Sequence, residues 1–184
     1  MTEHLRPAIV LTLLFTLLLG LAYPLAMTGI AQTVLPHQAQ GSPVLAGDRV
    51  AGSALIGQAF SAPGYFHPRP SVSAYDAMAS GGSNLGPLSQ KLMDRVSGDV
   101  AGLGLAGPVP ADAVTTSASG LDPDITPGNA AAQVVRVAAA RGLTEAEVAA
   151  LVKAQTEGRL FGLFGEPRVN VLALNLALDK LAAK

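Results

Sequence analysis

The longest apolar segment of the chain lies close to its N-terminus. From Ala8 to Pro36 there is no acidic, basic or histidine side chain, and this run exceeds the roughly 20 apolar residues that span a bilayer core. The pattern predicts a transmembrane helix over residues 8–36. A cleaved signal peptide is the alternative, because His4 and Arg6 precede the apolar core. The run continues well beyond the roughly 7 to 15 residues of a signal core, which favours a retained anchor.

Behind the anchor, the pattern predicts strands, turns and loops with one short helix. Residues 41–110 are rich in Gly, Ser and Pro, and the short apolar piece Ala54–Phe60 suits a strand. In Pro87–Val96, apolar residues recur at i, i+4 and i+8. This spacing predicts a helix, and Gly98 is expected to end it.

The last part of the chain carries stronger helix signals. Thr126-Pro127 is a typical cap with a first-turn proline, and the apolar face behind it runs to Gly142. Thr144 and Glu147 form a capping box, which predicts the start of a second helix. The final segment, Val169–Leu181, is predicted to be a buried strand that runs into a helix.

Composition and charge narrow the class of protein. The chain has 184 residues, 13 prolines, 20 glycines, no cysteine and a net charge of -1, so one modest domain is expected beside the anchor. A near-neutral chain offers no electrostatic footprint for nucleic acid. Without cysteine there is no disulfide framework and no thiolate metal site. The predicted fold class is α+β, with one N-terminal transmembrane helix followed by a small mixed α/β extracytoplasmic domain.

The flanking charges predict the orientation of the anchor. Arg6 and the amino terminus lie before it, whereas the first Lys or Arg beyond it is Arg49. Basic residues are retained on the cytoplasmic side. We therefore expect residues 1–7 to form a cytoplasmic tail and residues 37–184 to form a soluble domain on the periplasmic or extracellular side of the cytoplasmic membrane.

One row of small residues in the anchor predicts a contact with another helix. Ala8, Thr12, Thr16 and Gly20 recur at every fourth position among leucines. Small residues at this spacing let a second helix approach closely, and threonine hydroxyls can bond across the contact. The alternative is chance, since small residues are common in membrane helices. Pro24 frees a backbone carbonyl near Gly20 and predicts a bend in the helix.

The sequence predicts no catalytic site and no metal-binding site. The three histidines are isolated, without carboxylates at ligand spacing. Gly82-Ser83-Asn84-Leu85-Gly86 has its serine one place early for a nucleophile elbow, and no phosphate-loop motif occurs. Asp122 and Asp124 lie two residues apart, which allows a cation site, but an Asp-Pro turn before the next helix is the favoured interpretation.

The stretch Ser80–Pro87 allows three interpretations. Its first five residues, Ser80, Gly81, Gly82, Ser83 and Asn84, are similar to the Ser-Gly-Gly signature by which transporter ATPases contact ATP. A hydrolase loop would use Ser80 or Ser83 with His67. The favoured interpretation is a tight loop and helix entry, in which both glycines and Asn84 take positive φ.

Two further groups of residues are candidates for contact with a partner protein. Gln133 and Arg136 share a helix face through their i, i+3 spacing, although a solvated face is the commoner outcome. The stretch "YFHPRPS" contributes Tyr65, Phe66 and Arg69. Its prolines favour a rigid, extended backbone that suits a contact surface, and the alternative is that its aromatic residues fill the core.

Together these stretches resemble one protein family. The resemblance runs in order through the anchor, "GSALIGQAF", "YFHPRPS", "SGGSNLGP", "VPADAVTTSASGLDPDITP", "QVVRVAAARGL" and "VNVLALNLALDKL". In this order they are similar to the KdpC family, the C subunits of bacterial Kdp potassium-transporting ATPases. The resemblance covers almost the whole chain. This sequence departs from the family at Gln40-Gly41-Ser42, where Asn-Gly-Ser is expected in many members.

The resemblance implies a non-catalytic accessory subunit of a high-affinity, ATP-driven potassium uptake pump. Its implied partners are the potassium-translocating KdpA, the P-type ATPase KdpB, the small KdpF and membrane lipid. The family is also described as a catalytic chaperone that raises the ATP affinity of KdpB. A loop beyond a membrane span cannot reach cytoplasmic ATP, so we expect ATP to act only through the ATPase subunit. The alternatives are an ATP-contacting chaperone on the cytoplasmic side and an anchored exported hydrolase.

Overall fold

The computed structural model describes residues 2–105 and 107–182, which divide after Pro43 into two units. The first unit is helical. Its long helix consists of α1 (Thr2–Leu17), a π turn (Leu18–Ala22) and α2 (Tyr23–Val34), and the short α3 (Pro36–Ala39) follows. The segment Glu3–Val34 is long and apolar enough to cross a membrane, with a mean hydropathy of 2.3 over an 18-residue window. The long apolar helix predicted from the sequence is present and begins before Ala8.

A π turn lies where Pro24 was expected to free a backbone carbonyl, whereas the expected bend stays a prediction. The Tyr23 N–H donates to the Leu18 carbonyl, five residues earlier, instead of to the carbonyl four residues earlier. Pro24 has no N–H, so the Gly20 carbonyl loses the donor that an α-helix would supply. The π-helix is rare and occurs mostly as such a single turn inside an α-helix.

The second unit is a small α+β domain, as predicted. A two-stranded sheet of β1 (Pro43–Ala46) and β2 (Arg49–Ser53) opens it, and helices α4 (Gln90–Leu103) and α5 (Ala111–Val114) follow a long irregular stretch. A three-stranded antiparallel sheet has the order β3-β5-β4. Its strands are β3 (Asp124–Ile125), β4 (Thr156–Glu157) and β5 (Arg168–Asn170).

Three helices pack with this sheet around the core. They are α6 (Pro127–Arg141), α7 (Glu145–Ala154) and α8 (Val171–Ala182). The predicted caps are confirmed: Thr126 accepts from the Asn129 N–H, and Thr144 and Glu147 form the capping box. The core joins Phe66 to aliphatic residues of all three helices and of β5. The predicted passage from a strand into a helix is also confirmed, because β5 runs directly into α8.

Two predictions in the first half of this domain are wrong. The helix predicted over Pro87–Val96 is present as α4, but the predicted stop at Gly98 is wrong. The helix begins at Gln90, passes through Gly98 and ends at Leu103, where Gly104 caps it with a φ of 58°. Gly98 has open space around it and no positive φ, so nothing in its position stops a helix. The segment Ala54–Phe60 is not a strand but turn and coil.

Candidate functional site

The segment Pro63–Pro70 crosses helices α6 and α8 without regular secondary structure, and we call it the latch. Its backbone is held by two side-chain amides. Asn175 of α8 accepts from the Phe66 N–H at 2.8 Å and donates to the Phe66 carbonyl at 3.0 Å. Gln133 of α6 does the same for His67, at 2.7 and 3.0 Å. Two helices therefore supply the hydrogen bonds that a neighbouring strand would supply in a sheet.

Two arginines of α6 hold the preceding residues of the latch. Arg136 donates to the carbonyl oxygens of Pro63 and Tyr65, and to the Gln133 side chain at 2.7 Å. Arg141 donates to the Gly64 carbonyl at 2.7 Å. Burial lowers the pKa of Arg136. A guanidinium group bound to two carbonyl oxygens fixes the path of the chain through several parallel donors.

The Tyr65 side chain contacts a cation with its ring face and a carboxylate with its hydroxyl. The Arg141 guanidinium is 4.4 Å from the ring centroid, and the Tyr65 hydroxyl donates to Asp179 at 3.3 Å. Arg141 and Asp179 also form an ion pair at 2.7 Å. A cation over an aromatic face and a hydrogen bond at the ring's polar end together fix the orientation of Tyr65.

Arg69 ties the far end of the latch to the segment before β3. It forms an ion pair with Asp122 at 2.9 Å and donates to the Thr116 carbonyl at 3.3 Å. The other carboxylate oxygen of Asp122 accepts from the Asp124 N–H, which is the turn expected from the sequence. The helix that follows is capped by Thr126, whose N–H in turn donates to Asp112.

The structure thus brings the five partner-contact candidates Tyr65, Phe66, Arg69, Gln133 and Arg136 to one place. All five make contacts within the domain, and Phe66 is a fully buried core residue. A cleft of about 210 Å³ borders the latch and is lined by the polar residues His67, Asn129, Gln133 and Arg136 and by apolar residues. Burial, together with the charge of Arg136, lowers the pKa of His67, although a hydrogen bond to the Ala62 carbonyl opposes the shift. The role of these residues in partner binding stays a prediction.

The loop formed by residues 80–84 packs against residues 116–120. The Gly81 N–H and the Ser80 hydroxyl both donate to the Ser119 carbonyl, at 2.8 and 3.0 Å. Ser83 accepts from the Thr116 hydroxyl at 3.4 Å. A loop that cradles phosphate needs backbone N–H groups that point at the ligand, whereas the Gly81 N–H is bound to protein. Neither serine shares a hydrogen bond with His67.

The two glycines of this loop have a different role from the one predicted. Within the loop only Asn84 has a positive φ, of 51°. A Cβ atom on Gly82 would lie 2.9 Å from the Ala118 carbonyl oxygen, whereas a Cβ on Gly81 would meet nothing within 4 Å. Gly82 is therefore required for close packing, and the expectation of positive φ at both glycines is wrong.

The row of small residues in the long apolar helix is only partly regular. Thr16 donates its hydroxyl hydrogen to the Thr12 carbonyl at 2.7 Å, a common bond for helical threonine. Its oxygen remains able to accept from a neighbouring helix. Gly20 lies within the π turn, where the spacing of the row departs from that of an α-helix. The predicted contact of Ala8, Thr12, Thr16 and Gly20 with another helix stays a prediction.

Sequence reasoning missed several residues that the structure makes prominent. Asn175 is a single amide within the apolar run "VLALNLAL", and such an isolated polar residue signals a specific buried hydrogen bond. The run "LFGLFG" at residues 160–165 places large apolar residues between turn-forming glycines. The large apolar side chains of this run are exposed. The sequence signal for this exposure was the presence of large apolar residues between glycines.

Comparison with known proteins identifies the family of this chain. The family described as "KdpC: K+-transporting ATPase, c chain" matches residues 5–180. The chain belongs to the KdpC family. It is 62% identical over 189 residues to a potassium-transporting ATPase KdpC subunit of Allorhizobium ampelinum, an alignment that covers 100% of this chain and 99% of that protein.

Other relatives carry the same name. A protein of Caulobacter vibrioides is 58% identical over 185 residues, covering 97% of this chain and 94% of its own. One of Gemmatimonas aurantiaca is 54% identical over 190 residues, covering 100% and 96% respectively. Both are potassium-transporting ATPase KdpC subunits. The likeness includes the anchor, the latch and the loop at residues 80–84, because it extends over nearly the full length of the chain.

Proposed function

We propose that this chain is the single-span accessory subunit of an ATP-driven potassium uptake pump. The observation that carries the proposal is the family match over residues 5–180, supported by relatives named as subunits of a potassium-transporting ATPase. The apolar helix Glu3–Val34 would hold the chain in the cytoplasmic membrane. The basic flank at Arg6 favours a cytoplasmic N-terminus, which leaves the α+β domain on the outer side.

Membership of the KdpC family implies a division of labour within the pump. Potassium translocation belongs to the KdpA subunit and ATP hydrolysis to the KdpB subunit, with the small KdpF beside them. The accessory chain stabilises this assembly through its helix and its outer domain. The latch and its ion pairs give the domain a rigid framework, as a docking subunit requires, since ordering a surface before binding lowers the cost of association.

Modulation of the ATPase subunit is proposed to be indirect. The Gly81 N–H, which an ATP-signature loop would offer to phosphate, donates to the Ser119 carbonyl, and a bilayer about 30 Å thick lies between an outer domain and cytoplasmic ATP. A subunit that contacts two states of a pump unequally shifts their populations. Such a shift changes the ATP affinity without any contact to the nucleotide.

The proposal is tested by assembling the pump with and without this chain. The affinity-tagged chain is co-expressed with the other three subunits and purified in mild detergent, and potassium-stimulated ATP hydrolysis is then measured. We expect a stoichiometric complex with the chain, and a loss of complex and activity without it. An intact complex with full potassium-stimulated hydrolysis in the absence of the chain would refute the proposal.

A further inference from the structure

The loop between β4 and β5 displays a cluster of large apolar side chains to solvent. We call residues 159–166 the apolar loop. Four of its residues are strongly exposed: Leu160 (64%), Phe161 (84%), Leu163 (73%) and Phe164 (65%). Single exposed apolar residues are ordinary on protein surfaces, but a contiguous cluster marks an interaction site.

The conformation of the apolar loop is fixed from within. The Leu160 N–H donates to the Phe164 carbonyl at 2.8 Å, and the Phe164 N–H returns to the Leu160 carbonyl at 3.0 Å. Gly162 and Gly165 take φ values of 74° and 79°, and Phe161 itself has a φ of 54°. A bulky residue in this region is rare and persists where the surroundings hold it. The apolar side chains are therefore presented by an ordered turn.

An ion pair closes the base of the apolar loop. Arg159 donates to both carboxylate oxygens of Glu166, at 2.8 and 2.7 Å. Next to it, Arg168 pairs with Glu157 at 2.8 Å and with Asp124 at 3.2 Å. The apolar tip is thus bordered by charges of both signs that are already paired.

The exposed apolar area of the loop is a large part of what one partner buries in a protein interface. With roughly 150 to 250 Å² for a phenylalanine and somewhat less for a leucine, the four exposed fractions amount to about 500 Å². A stable interface of standard size buries about 800 Å² on each partner. The apolar loop alone would supply more than half of one side. A dry aromatic centre with a polar rim is the usual anatomy of such an interface.

The charge pattern distinguishes a protein partner from a lipid surface. Loops that bind the membrane surface combine apolar residues with unpaired Lys or Arg, which attract anionic head groups. Here both arginines beside the loop are paired with carboxylates. A rim of alternating charge complements a protein surface that carries both signs.

We infer that the apolar loop inserts into an apolar pocket on another protein subunit of the same potassium pump, a pocket whose border carries charges of both signs. This inference rests on the proposed function and names one surface through which it operates. Phe161 is the central anchor, because it is the most exposed of the four apolar residues and lies at the tip of the turn.

Photo-cross-linking in the full pump tests the contact directly. The photoreactive p-benzoyl-phenylalanine replaces Phe161 in the full chain, which is co-expressed with the other subunits and irradiated in membranes. We expect one adduct whose mass and peptides identify another pump subunit. The same replacement at Met78, which is 94% exposed and lies outside the loop, is expected to give no such adduct. An adduct only with lipid, only with a second copy of this chain, or none at all overturns the inference.

Substitutions measure the strength of the contact. Phe161→Asn keeps a residue that tolerates positive φ and removes the ring, so we expect the pump subunits retained on the tagged chain in a stringent wash to fall at least about tenfold. Phe161→Tyr should restore retention, and Met78→Gln should leave it unchanged. Retention that is equal in all variants overturns the inference.

The outcomes separate this inference from the proposed function. If the wild-type chain does not co-purify with the pump subunits, the proposed function fails and the apolar loop has no partner there. If the wild-type chain co-purifies but position 161 forms no adduct with a subunit, only the inference about the apolar loop is overturned.

Discussion

Gly81 and Gly82 are adjacent and chemically identical, yet the structure predicts opposite responses to an added methyl group. In Gly82→Ala the new Cβ would lie 2.9 Å from the carbonyl oxygen and 3.3 Å from the Cα of Ala118. Both atoms belong to the backbone, so they cannot rotate away as a flexible side chain would. In Gly81→Ala the new Cβ meets nothing within 4 Å, and φ is not positive.

The cost of Gly82→Ala is that of overpacking, about 1 to 3 kcal/mol of unfolding free energy. For a domain of this size, this loss lowers the thermal midpoint by roughly 3 to 12 °C. Gly81→Ala, in contrast, restricts the unfolded chain and is expected to be neutral or to stabilise by about 0.4 to 1 kcal/mol. The assay is thermal unfolding of the full chain in mild detergent, followed by circular dichroism.

A nucleotide-contacting loop predicts a different pattern. Such a loop would need both glycines for backbone approach to phosphate, and its loss would appear in ATP binding rather than in stability. Equal destabilisation by Gly81→Ala and Gly82→Ala, or a larger effect at Gly81, would refute the packing argument. A drop in the ATP affinity of the assembled pump with Gly81→Ala, at unchanged stability, would favour the nucleotide interpretation.

Three further predictions follow from the latch and the anchor. Asn175→Leu leaves the buried N–H and carbonyl of Phe66 unpaired and should lower the free energy of unfolding, measured with denaturant, by about 2 to 5 kcal/mol. The control Gln90→Leu, at an exposed residue, should change it by less than about 0.5 kcal/mol. Equal effects of the two substitutions would contradict the role of the Asn175 amide. Burial lowers the pKa of His67 in the folded chain, so His67 of the unfolded chain is protonated at a higher pH than His67 of the folded chain. The free energy of unfolding should therefore decline as the pH falls below 6.5. The decline should be shallower in His67→Gln, and parallel pH profiles of the two proteins would refute this prediction. Gly20→Leu should weaken co-purification with the other pump subunits if a partner helix contacts the small-residue row, and an unchanged yield would count against that row.

The elements that were predictable from sequence are those whose signals are local. The cap at Thr126 and the capping box at Thr144 depend on residues within one turn of the helix start, so their patterns determine where α6 and α7 begin. The long apolar helix at the N-terminus was predictable because its run of apolar residues is unbroken by charge and exceeds the length that spans a bilayer core. The end of α4 was not predictable in this way, because Gly98 and Gly104 look alike in sequence and only the chain path decides which one takes positive φ.

The sequence predicted which residues of the latch and of α6 are candidates for contacts, but not how they bond to one another. Prolines and aromatics marked the stretch around Phe66, and the i, i+3 spacing placed Gln133 and Arg136 on one face. Their connection depends on contacts between residues far apart in sequence, such as Phe66 with Asn175. Spacing along the chain carries no information about such pairs, and so the bonds of Gln133 to the His67 backbone could only come from the structure.

The position of the loop relative to the membrane tests the central claim most directly. The chain has no cysteine, so Met78→Cys, at a residue that is 94% exposed, and Glu3→Cys each introduce a single thiol. Each variant is expressed with the pump in intact cells and treated with a membrane-impermeant maleimide before and after permeabilisation. An accessory subunit with an outer domain predicts labelling of Met78→Cys in intact cells and of Glu3→Cys only after permeabilisation. The reverse pattern would place residues 80–84 beside cytoplasmic ATP and contradict the account.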